Sequence, residues 1–232
     1  MKKPQNLNNF EKKIEIDFKD KKILQQVFIH RSFLNENPEK HLNHNERLEF
    51  LGDAVLEFIV TEYLYQNYPD PEGELTSWRS ALVKGRTLSD LAKDLDMNEY
   101  LLLSRGEAKS EGRAREFILA NAYEALIGAI YLDQGMDKTT QFVNNHLIKL
   151  LPEIIQKGLH RDPKSYLQEI FQAKEKTTPI YKVIKEIGPD HNKEFIIGVF
   201  IGNRLLGEGK GNSKQLAQRA AASAVLSKLK LE

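Results

Sequence analysis

The sequence predicts an all-helical domain followed by a small α+β domain with the element order α-β-β-β-α. Up to about residue 158, apolar residues recur at the three- and four-residue spacings of amphipathic helices. After Pro163 the pattern changes to three short apolar or alternating runs that lie between two helical segments. The segment 157–163 has the character of a short linker, so we expect domains at 1–158 and 162–232.

Composition limits the class of protein. Of the 232 residues, 41% are hydrophobic and 29% are charged, which is typical of a water-soluble globular protein. The absence of cysteine excludes disulfide bonds and thiolate metal sites. No apolar run approaches the roughly 18 residues that a membrane span needs, and the N-terminal MKKPQNLNNFEKK lacks the apolar core of a secretion signal. We therefore expect a cytoplasmic protein with no membrane partner.

The net charge of +1 conceals an uneven distribution. Residues 162–232 carry 12 basic and 8 acidic side chains, a net of +4. The rest of the chain keeps 22 of the 34 basic and 25 of the 33 acidic side chains, a net of −3. This imbalance favours a polyanion-binding module joined to a cation-binding one.

Seven helices are predicted in the first domain. Asp20 supplies an N-cap for the second of them, and Pro69, Pro71 and Gly73 end the third. The segment 115–133 is apolar nearly all round and should lie at the centre of the core. The predicted helices cover about 9–16, 20–30, 46–67, 74–95, 97–103, 115–133 and 139–156, and the polar segment 35–45 is predicted to be a loop.

In the second domain, helix 165–174 precedes three strands, which are predicted near 181–184, 194–201 and 204–209. Turn residues separate the strands. Ser213 then caps an alanine-rich helix over 214–228.

An acidic stripe lies near the start of the helix 46–67. Glu46, Glu49 and Asp53 are spaced by three and four residues, so they share one helix face. Gly52, in the middle of this pattern, costs about 1 kcal/mol relative to alanine, so a second backbone or a ligand should need the space. Acids beside a buried face are unfavourable unless a cation or partner offsets them. The stripe is therefore either a divalent-metal site or a solvated face.

Two polar residues, Asn121 and Glu124, interrupt the apolar helix 115–133. Buried polar groups need partners, and the acidic stripe is the obvious one. Oxygen ligands of this kind suit Mg²⁺, with Mn²⁺ as a substitute, and not zinc. Two such ions would serve phosphodiester hydrolysis, one activating water and the other stabilising the departing oxygen.

The twelve residues NERLEFLGDAVL, from Asn45 to Leu56, resemble the signature segment of the ribonuclease III family, and His30–Phe33 resembles a second segment of it. The resemblance implies a helical homodimer that cuts both strands of double-stranded RNA and leaves 5′-phosphate and 3′-hydroxyl ends. It places such enzymes in ribosomal precursor and messenger RNA processing. It also implies roles for individual residues: Glu49, Asn121, Glu124 and Asp53 as metal ligands, Asp53 and Glu124 as catalytic acids, and Glu46 and Glu72 as auxiliary acids near the RNA.

The chain departs from this family at one position of the site. The segment ILANAYEALIGAIYLDQG carries Asn121 where the family carries aspartate. An amide keeps one carbonyl oxygen as a ligand but has no negative charge, so metal affinity should fall, especially for a second ion. Asn121 is either a natural variant or a substitution introduced to disable the enzyme. We predict retained, metal-sensitive cleavage; the alternative is a non-cleaving RNA-binding protein whose helical domain serves only for dimerisation.

The C-terminal pattern, with GEGKGNSKQLAQRAAA before and within the last helix, resembles the double-stranded RNA-binding domain. Such domains read A-form RNA by shape, through 2′-hydroxyls and phosphates, and the N-terminus of their last helix favours phosphate. The glycines lack the GxxxxGK[ST] spacing, so no nucleotide cofactor is expected. The resemblance implies RNA contacts by Gln168 and Gln172 on the first helix, His191 in the loop after the first strand, and Lys210, Ser213, Lys214 and Gln218 around the last helix.

Overall fold

A computed structural model describes residues 6–158, 160–189 and 193–229. The chain divides into two compact units, Met1–His160 and Arg161–Glu232. Within the described residues, no helix is long and apolar enough to cross a membrane.

The regular elements of the first unit's described residues are helices, as predicted. Its described residues form α1 (Leu7–Ile14), α2 (Lys21–Val27), α3 (Arg31–Glu36), α4 (Glu46–Asn67), α5 (Glu72–Leu82), α6 (Gly85–Asp94), α7 (Gly112–Gln134), α8 (Met136–His146) and α9 (Leu151–Lys157). Short 3₁₀ turns lie at Pro38–Lys40, Met97–Glu99, Glu107–Lys109 and Ile148–Leu150.

Helix α7 lies at the centre of this unit. Nearly every residue from Ile118 to Ile130 is buried, and the helix packs against α2, α4, α6 and α8. The prediction that this apolar segment forms the core is therefore confirmed. Helix α4 packs against α7 more extensively than any other helix does, so the acidic stripe lies beside the core helix.

The prediction of one helix over 74–95 is wrong, because the chain turns between α5 and α6. Lys84 is extended, with ψ of 142°, and the Thr87 hydroxyl donates to the Ala81 carbonyl across the turn. An ideal Cβ on Gly85 would lie 3.9 Å from the Ala120 Cβ. The break thus turns α6 so that it packs along α7, a tertiary requirement that the apolar spacing does not reveal.

Three other predicted elements also differ from the structure. The segment 139–156 is divided into α8, a 3₁₀ turn and α9, because Pro152 near the start of α9 has no N–H to donate to a continuous helix. Residues 31–36 form the helix α3, although the sequence analysis predicts no helix there. The predicted helix 97–103 is a 3₁₀ turn, after which Leu102 pairs with Ile29 in a parallel β-bridge.

Tyr123 buries a hydroxyl group that has no hydrogen-bond partner in the described structure. The side chain is fully buried against Phe142, and burial raises the pKa of the hydroxyl. An unsatisfied buried hydroxyl is destabilising. We therefore expect Tyr123→Phe to raise the free energy of unfolding by about 1 kcal/mol in urea. Tyr65→Phe, at a residue that is 80% exposed, should leave it unchanged; equal effects of the two would contradict the expectation.

The second unit has the predicted α-β-β-β-α order. Its elements are α10 (Pro163–Glu175), β1 (Ile180–Ile187), β2 (Glu194–Ile201), β3 (Arg204–Gly211) and α11 (Lys214–Leu229). The strands form one antiparallel sheet in the order β1-β2-β3. Helices α10 and α11 pack together over a small core that includes Leu167, Phe171, Val199 and Val225.

Candidate active site

Helices α4 and α7 touch backbone to backbone at two glycines. An ideal Cβ on Gly52 would lie 1.8 Å from the Glu124 carbonyl oxygen, and one on Gly128 would lie 2.3 Å from the Leu48 carbonyl oxygen. The prediction that Gly52 makes room for another backbone is confirmed. The contact at Gly128 was not predicted from the sequence. A glycine within a helix that is buried on nearly all sides would have indicated it. This close approach brings the acids of α4 beside the polar residues of α7.

Replacing Gly52 with alanine should therefore destabilise the first unit. The added methyl group meets backbone atoms of α7, which cannot move as a flexible side chain can, so a loss of about 3 kcal/mol or more in the free energy of unfolding is expected. Gly73→Ala is the matched control, because nothing lies within 4 Å of its Cβ position. Denaturant unfolding of the two variants measures the difference, and equal stabilities would refute the close approach.

The carboxylates of Glu49, Asp53 and Glu124 act on one another electrostatically. Burial, followed by the negative charges of Asp53 and Glu49, raises the pKa of Glu124 to about 8. Burial and the charge of Glu46 also raise the pKa of Glu49, with a smaller contribution from Asp53. Glu49 and Glu124 are half-buried and Asp53 is exposed. The site is thus a partly desolvated concentration of negative charge.

The Asn121 side chain acts on Glu49 across the two helices and lowers the pKa of its carboxyl. This direction is the one expected when an amide N–H group donates toward a carboxylate, because such donation favours the ionised form. Asn121 thus interacts favourably with the acidic stripe, as expected, whereas Glu124 is repelled by the charges of Asp53 and Glu49. An aspartate at this position would carry a negative charge and would repel Glu49, whereas the asparagine amide is neutral and has N–H groups that can donate.

The donor atoms fit a hard divalent cation. No lysine, arginine or histidine of the described residues forms an ion pair with Glu49, Asp53 or Glu124, so none of these described cations compensates their charge through an ion pair. Carboxylate and amide oxygens are the ligands that Mg²⁺ and Mn²⁺ prefer. Across residues 6–158, 160–189 and 193–229, however, no three acidic, histidine or cysteine side chains are arranged as a closed metal-binding group.

The two auxiliary acids lie in different surroundings. Glu46 forms an ion pair with Arg31 at 3.4 Å, and a Glu46 carboxylate oxygen lies 3.8 Å from His44 Nδ1. Glu72 is the exposed first residue of α5 and is not among the charges that act on Glu49 or Glu124. The structure therefore brings Glu46 to the acid cluster and does not bring Glu72 to it. His30 caps α3 and its Nδ1 lies 2.8 Å from the Ser32 hydroxyl, consistent with a hydrogen-bonded residue.

In the second unit, the glycines of β3 serve helix packing. An ideal Cβ on Gly209 would lie 2.1 Å from the Ala221 nitrogen, and one on Gly211 would lie 2.6 Å from the Ala217 nitrogen. This contact fixes α11 against the sheet, which supplies a structural reason for the GEGKG sequence. The Ser213 hydroxyl accepts from the Leu216 N–H, as an N-cap does.

The predicted RNA contacts of this unit lie near the start of α11 and along α10. Lys210 and Lys214 are exposed, and the Lys214 ammonium lies 3.5 Å from a Glu186 oxygen. Gln168 and Gln172 are exposed on one face of α10, one turn apart. The remaining predicted contacts are Gln218, which accepts a 2.6 Å hydrogen bond from Lys164, and His191, which lies outside the described residues.

Comparison with known proteins assigns both units. The family Ribonuclease-III-like matches residues 20–151, and the double-stranded RNA binding motif matches residues 163–229. Ribonuclease 3 of Protochlamydia amoebophila is 46% identical over 95% of this chain and 91% of its own length. Ribonuclease 3 of Borreliella burgdorferi is 43% identical over 95% of this chain and 90% of its own length.

Solved structures agree with these matches. The nuclease domain of ribonuclease III from Campylobacter jejuni is 36% identical, with a TM-score of 0.57 over 63% of this chain and 99% of that domain. A second crystal structure of that nuclease domain gives 35% identity and a TM-score of 0.55. The helical unit with its paired glycines and acids, followed by the α-β-β-β-α unit, makes this chain a member of the ribonuclease III family.

Proposed function

We propose that this chain is a divalent-metal-dependent endoribonuclease that cleaves double-stranded RNA and leaves 5′-phosphate and 3′-hydroxyl ends. The observation that carries the proposal is the uncompensated acid cluster where α4 and α7 cross, within a ribonuclease III nuclease domain. Its carboxylates are held together at an electrostatic cost that a bound cation would relieve. Mg²⁺ is the proposed cofactor, with Mn²⁺ as a substitute.

Each residue of the cluster has a proposed role. Glu49, Glu124, Asp53 and Asn121 would hold the metal, which when bound supplies an activated water and charge stabilisation at the phosphodiester. Asp53, the exposed member, would accept a proton from the attacking water. Asn121, whose side chain lowers the pKa of Glu49, would favour the ionised form of that ligand. Glu46 and Glu72 remain proposed auxiliary acids near the RNA, and Glu72 would need the RNA or a second subunit to bring it to the site.

The C-terminal unit supplies duplex binding. The match to the double-stranded RNA binding motif supports RNA contacts by α10 and by the start of α11. Its exposed lysines and the free N–H groups at a helix start suit phosphate. The proposed contacts are Gln168, Gln172, His191, Lys210, Ser213, Lys214 and Gln218. No nucleotide cofactor is proposed, because the β3 glycines pack against α11.

A homodimer is the proposed assembly. Phe50, Phe58 and Tyr65 lie exposed along one side of α4 at 82%, 54% and 80%, whereas the opposite side of the helix is buried. An aromatic stripe of this length is typical of a protein interface. The Campylobacter jejuni nuclease domain is described as having a region involved in dimer formation. We further propose a cytoplasmic role in ribosomal and messenger RNA processing, and domain limits at 1–158 and 162–232.

The competing function is a duplex-RNA-binding protein that does not cleave, because Asn121 removes one charge from the site. Cleavage of a long RNA duplex, measured at graded Mg²⁺ and Mn²⁺ concentrations, separates the two. We expect cleavage that needs more metal than an all-carboxylate site would. Duplex binding without cleavage at any concentration of either ion would establish the competing function.

A further inference from the structure

The acid-bearing face of α7 continues past the site toward the start of the helix. Arg113 and Phe117 precede Asn121 at intervals of four residues, so the three share one face. Successive members are about 6 Å apart along the helix axis. A cation and an aromatic ring therefore lie in line with the acid cluster.

Phe117 stands out because of where it is exposed. The helix is buried at nearly every residue from Ile118 to Ile130, yet the Phe117 side chain is 68% exposed. A single exposed aromatic residue is common on protein surfaces, so its exposure alone decides nothing. Its position one turn from Asn121, beside an exposed cation, is what makes it informative.

Arg113 is exposed and, among the residues that the structure describes, forms no ion pair or hydrogen bond. The neighbouring Arg115 is used structurally, since its guanidinium donates to the carbonyls of Glu107, Ala108 and Ser110. This clamp holds the segment that leads into α7. It fixes the backbone from which Arg113 projects and leaves the Arg113 guanidinium available to a ligand.

We infer that Arg113 and Phe117 form a guide for the RNA strand beside the site. Arg113 would bind a phosphate next to the one that is cleaved, and Phe117 would pack on the adjoining ribose. The inference rests on the proposed function and adds two residues to its substrate contacts. A guanidinium fits phosphate oxygens, and ribose edges are what the open minor groove of duplex RNA presents.

The charges favour RNA over a second protein copy at this place. The acids of the cluster repel a polyanion, and Arg113 is an exposed cation on the helix face that carries Asn121. An unpaired arginine would be costly to bury in a subunit interface. The exposed stripe that suits a second copy lies instead on α4.

The test is the salt dependence of duplex RNA cleavage and binding by the full-length protein. Arg113→Ala should reduce the slope of log(kcat/KM) against log salt concentration by about 1, the change expected for one lost phosphate contact. Phe117→Ser should raise KM roughly fivefold with kcat and the slope unchanged, and Phe117→Tyr should restore KM. Lys149→Ala and Leu132→Ser, an exposed cation and an exposed apolar residue of the same unit, are the matched controls.

Light scattering and thermal unfolding of each variant complete the test. If Arg113→Ala and Phe117→Ser behave like the controls, or if Phe117→Ser dissociates a dimer, the strand guide is wrong. If the unmodified protein does not cleave, the proposed function fails instead. Without cleavage, the strand guide is tested through the dissociation constant for duplex RNA. Arg113→Ala should then reduce its salt slope, and Phe117→Ser should weaken the affinity, by the same amounts.

Discussion

Glu124→Gln should abolish RNA cleavage and at the same time make the metal-free protein more stable. The glutamine keeps the shape of the side chain and one carbonyl oxygen, but it removes a negative charge that a cation needs. The same charge is unfavourable when no cation is present, because Glu124 is half-buried beside Asp53 and Glu49. Metal binding therefore favours a negative charge at position 124, whereas the stability of the metal-free protein favours a neutral side chain there.

The stability effect should depend on pH in a defined direction. The pKa of Glu124 is about 8 in the folded protein, whereas an unfolded glutamate titrates near its ordinary value of 4.5. Between these values the folded state holds the proton more strongly than the unfolded state does. Stability of the metal-free protein is thus greatest at low pH within this window and is lost as pH rises toward 8. The stability of Glu124→Gln should not fall in this way as the pH rises.

Urea unfolding in the presence of a chelator, from pH 5 to pH 8.5, measures the difference. We expect the variant to gain on the order of 2 kcal/mol at the upper end, less than full linkage predicts because solvent reaches part of the side chain. Added Mn²⁺ should stabilise the unmodified protein and should not stabilise the variant. Glu116→Gln on the same helix, for which neither effect is expected, is the control. If Glu124→Gln is no more stable than Glu116→Gln, the charge of Glu124 does not destabilise the metal-free protein.

The parts of this site that follow local spacing were predictable from sequence. Glu49 and Asp53 share a face of α4 because helical periodicity fixes it, and Gly52 signalled a close approach because glycine is unfavourable within a helix. The identity of the approaching backbone, that of Glu124 and Gly128, is a tertiary fact. The same limit explains why one helix was predicted over 74–95, since its apolar pattern continues across the turn at Lys84 and Gly85.

The relations between side chains were less predictable than their positions. Sequence indicated that Asn121 and Glu124 need partners, but it did not show that Asn121 lowers the pKa of Glu49 while Glu124 is repelled by the same stripe. Nor did it distinguish Arg115, which clamps three carbonyls, from the unpaired Arg113 two residues earlier. Both are arginines near the start of α7, and only the path of the preceding segment separates their roles.

Asn121→Asp should lower the Mg²⁺ concentration needed for half-maximal cleavage by about tenfold or more. The substitution adds a negative charge beside Glu49 and Glu124, which strengthens attraction for a divalent cation and most strongly for a second one. It also replaces an amide that favours the ionised Glu49 carboxylate with a like charge that disfavours it. The metal-free variant should therefore be less stable than the unmodified protein, and this loss should be reversed by Mn²⁺.

Asn121→Ala separates the two contributions of the amide, because alanine removes both the oxygen ligand and the effect of the amide on Glu49 without adding charge. It should need more metal than the unmodified protein, so the three residues are expected to rank aspartate, asparagine, alanine in metal affinity by calorimetry. If Asn121→Ala and the unmodified protein bind Mn²⁺ equally, the amide oxygen is not a ligand and Asn121 acts only on Glu49. If only Asn121→Asp cleaves RNA, the amide disables the enzyme, and duplex binding is the activity that this chain retains.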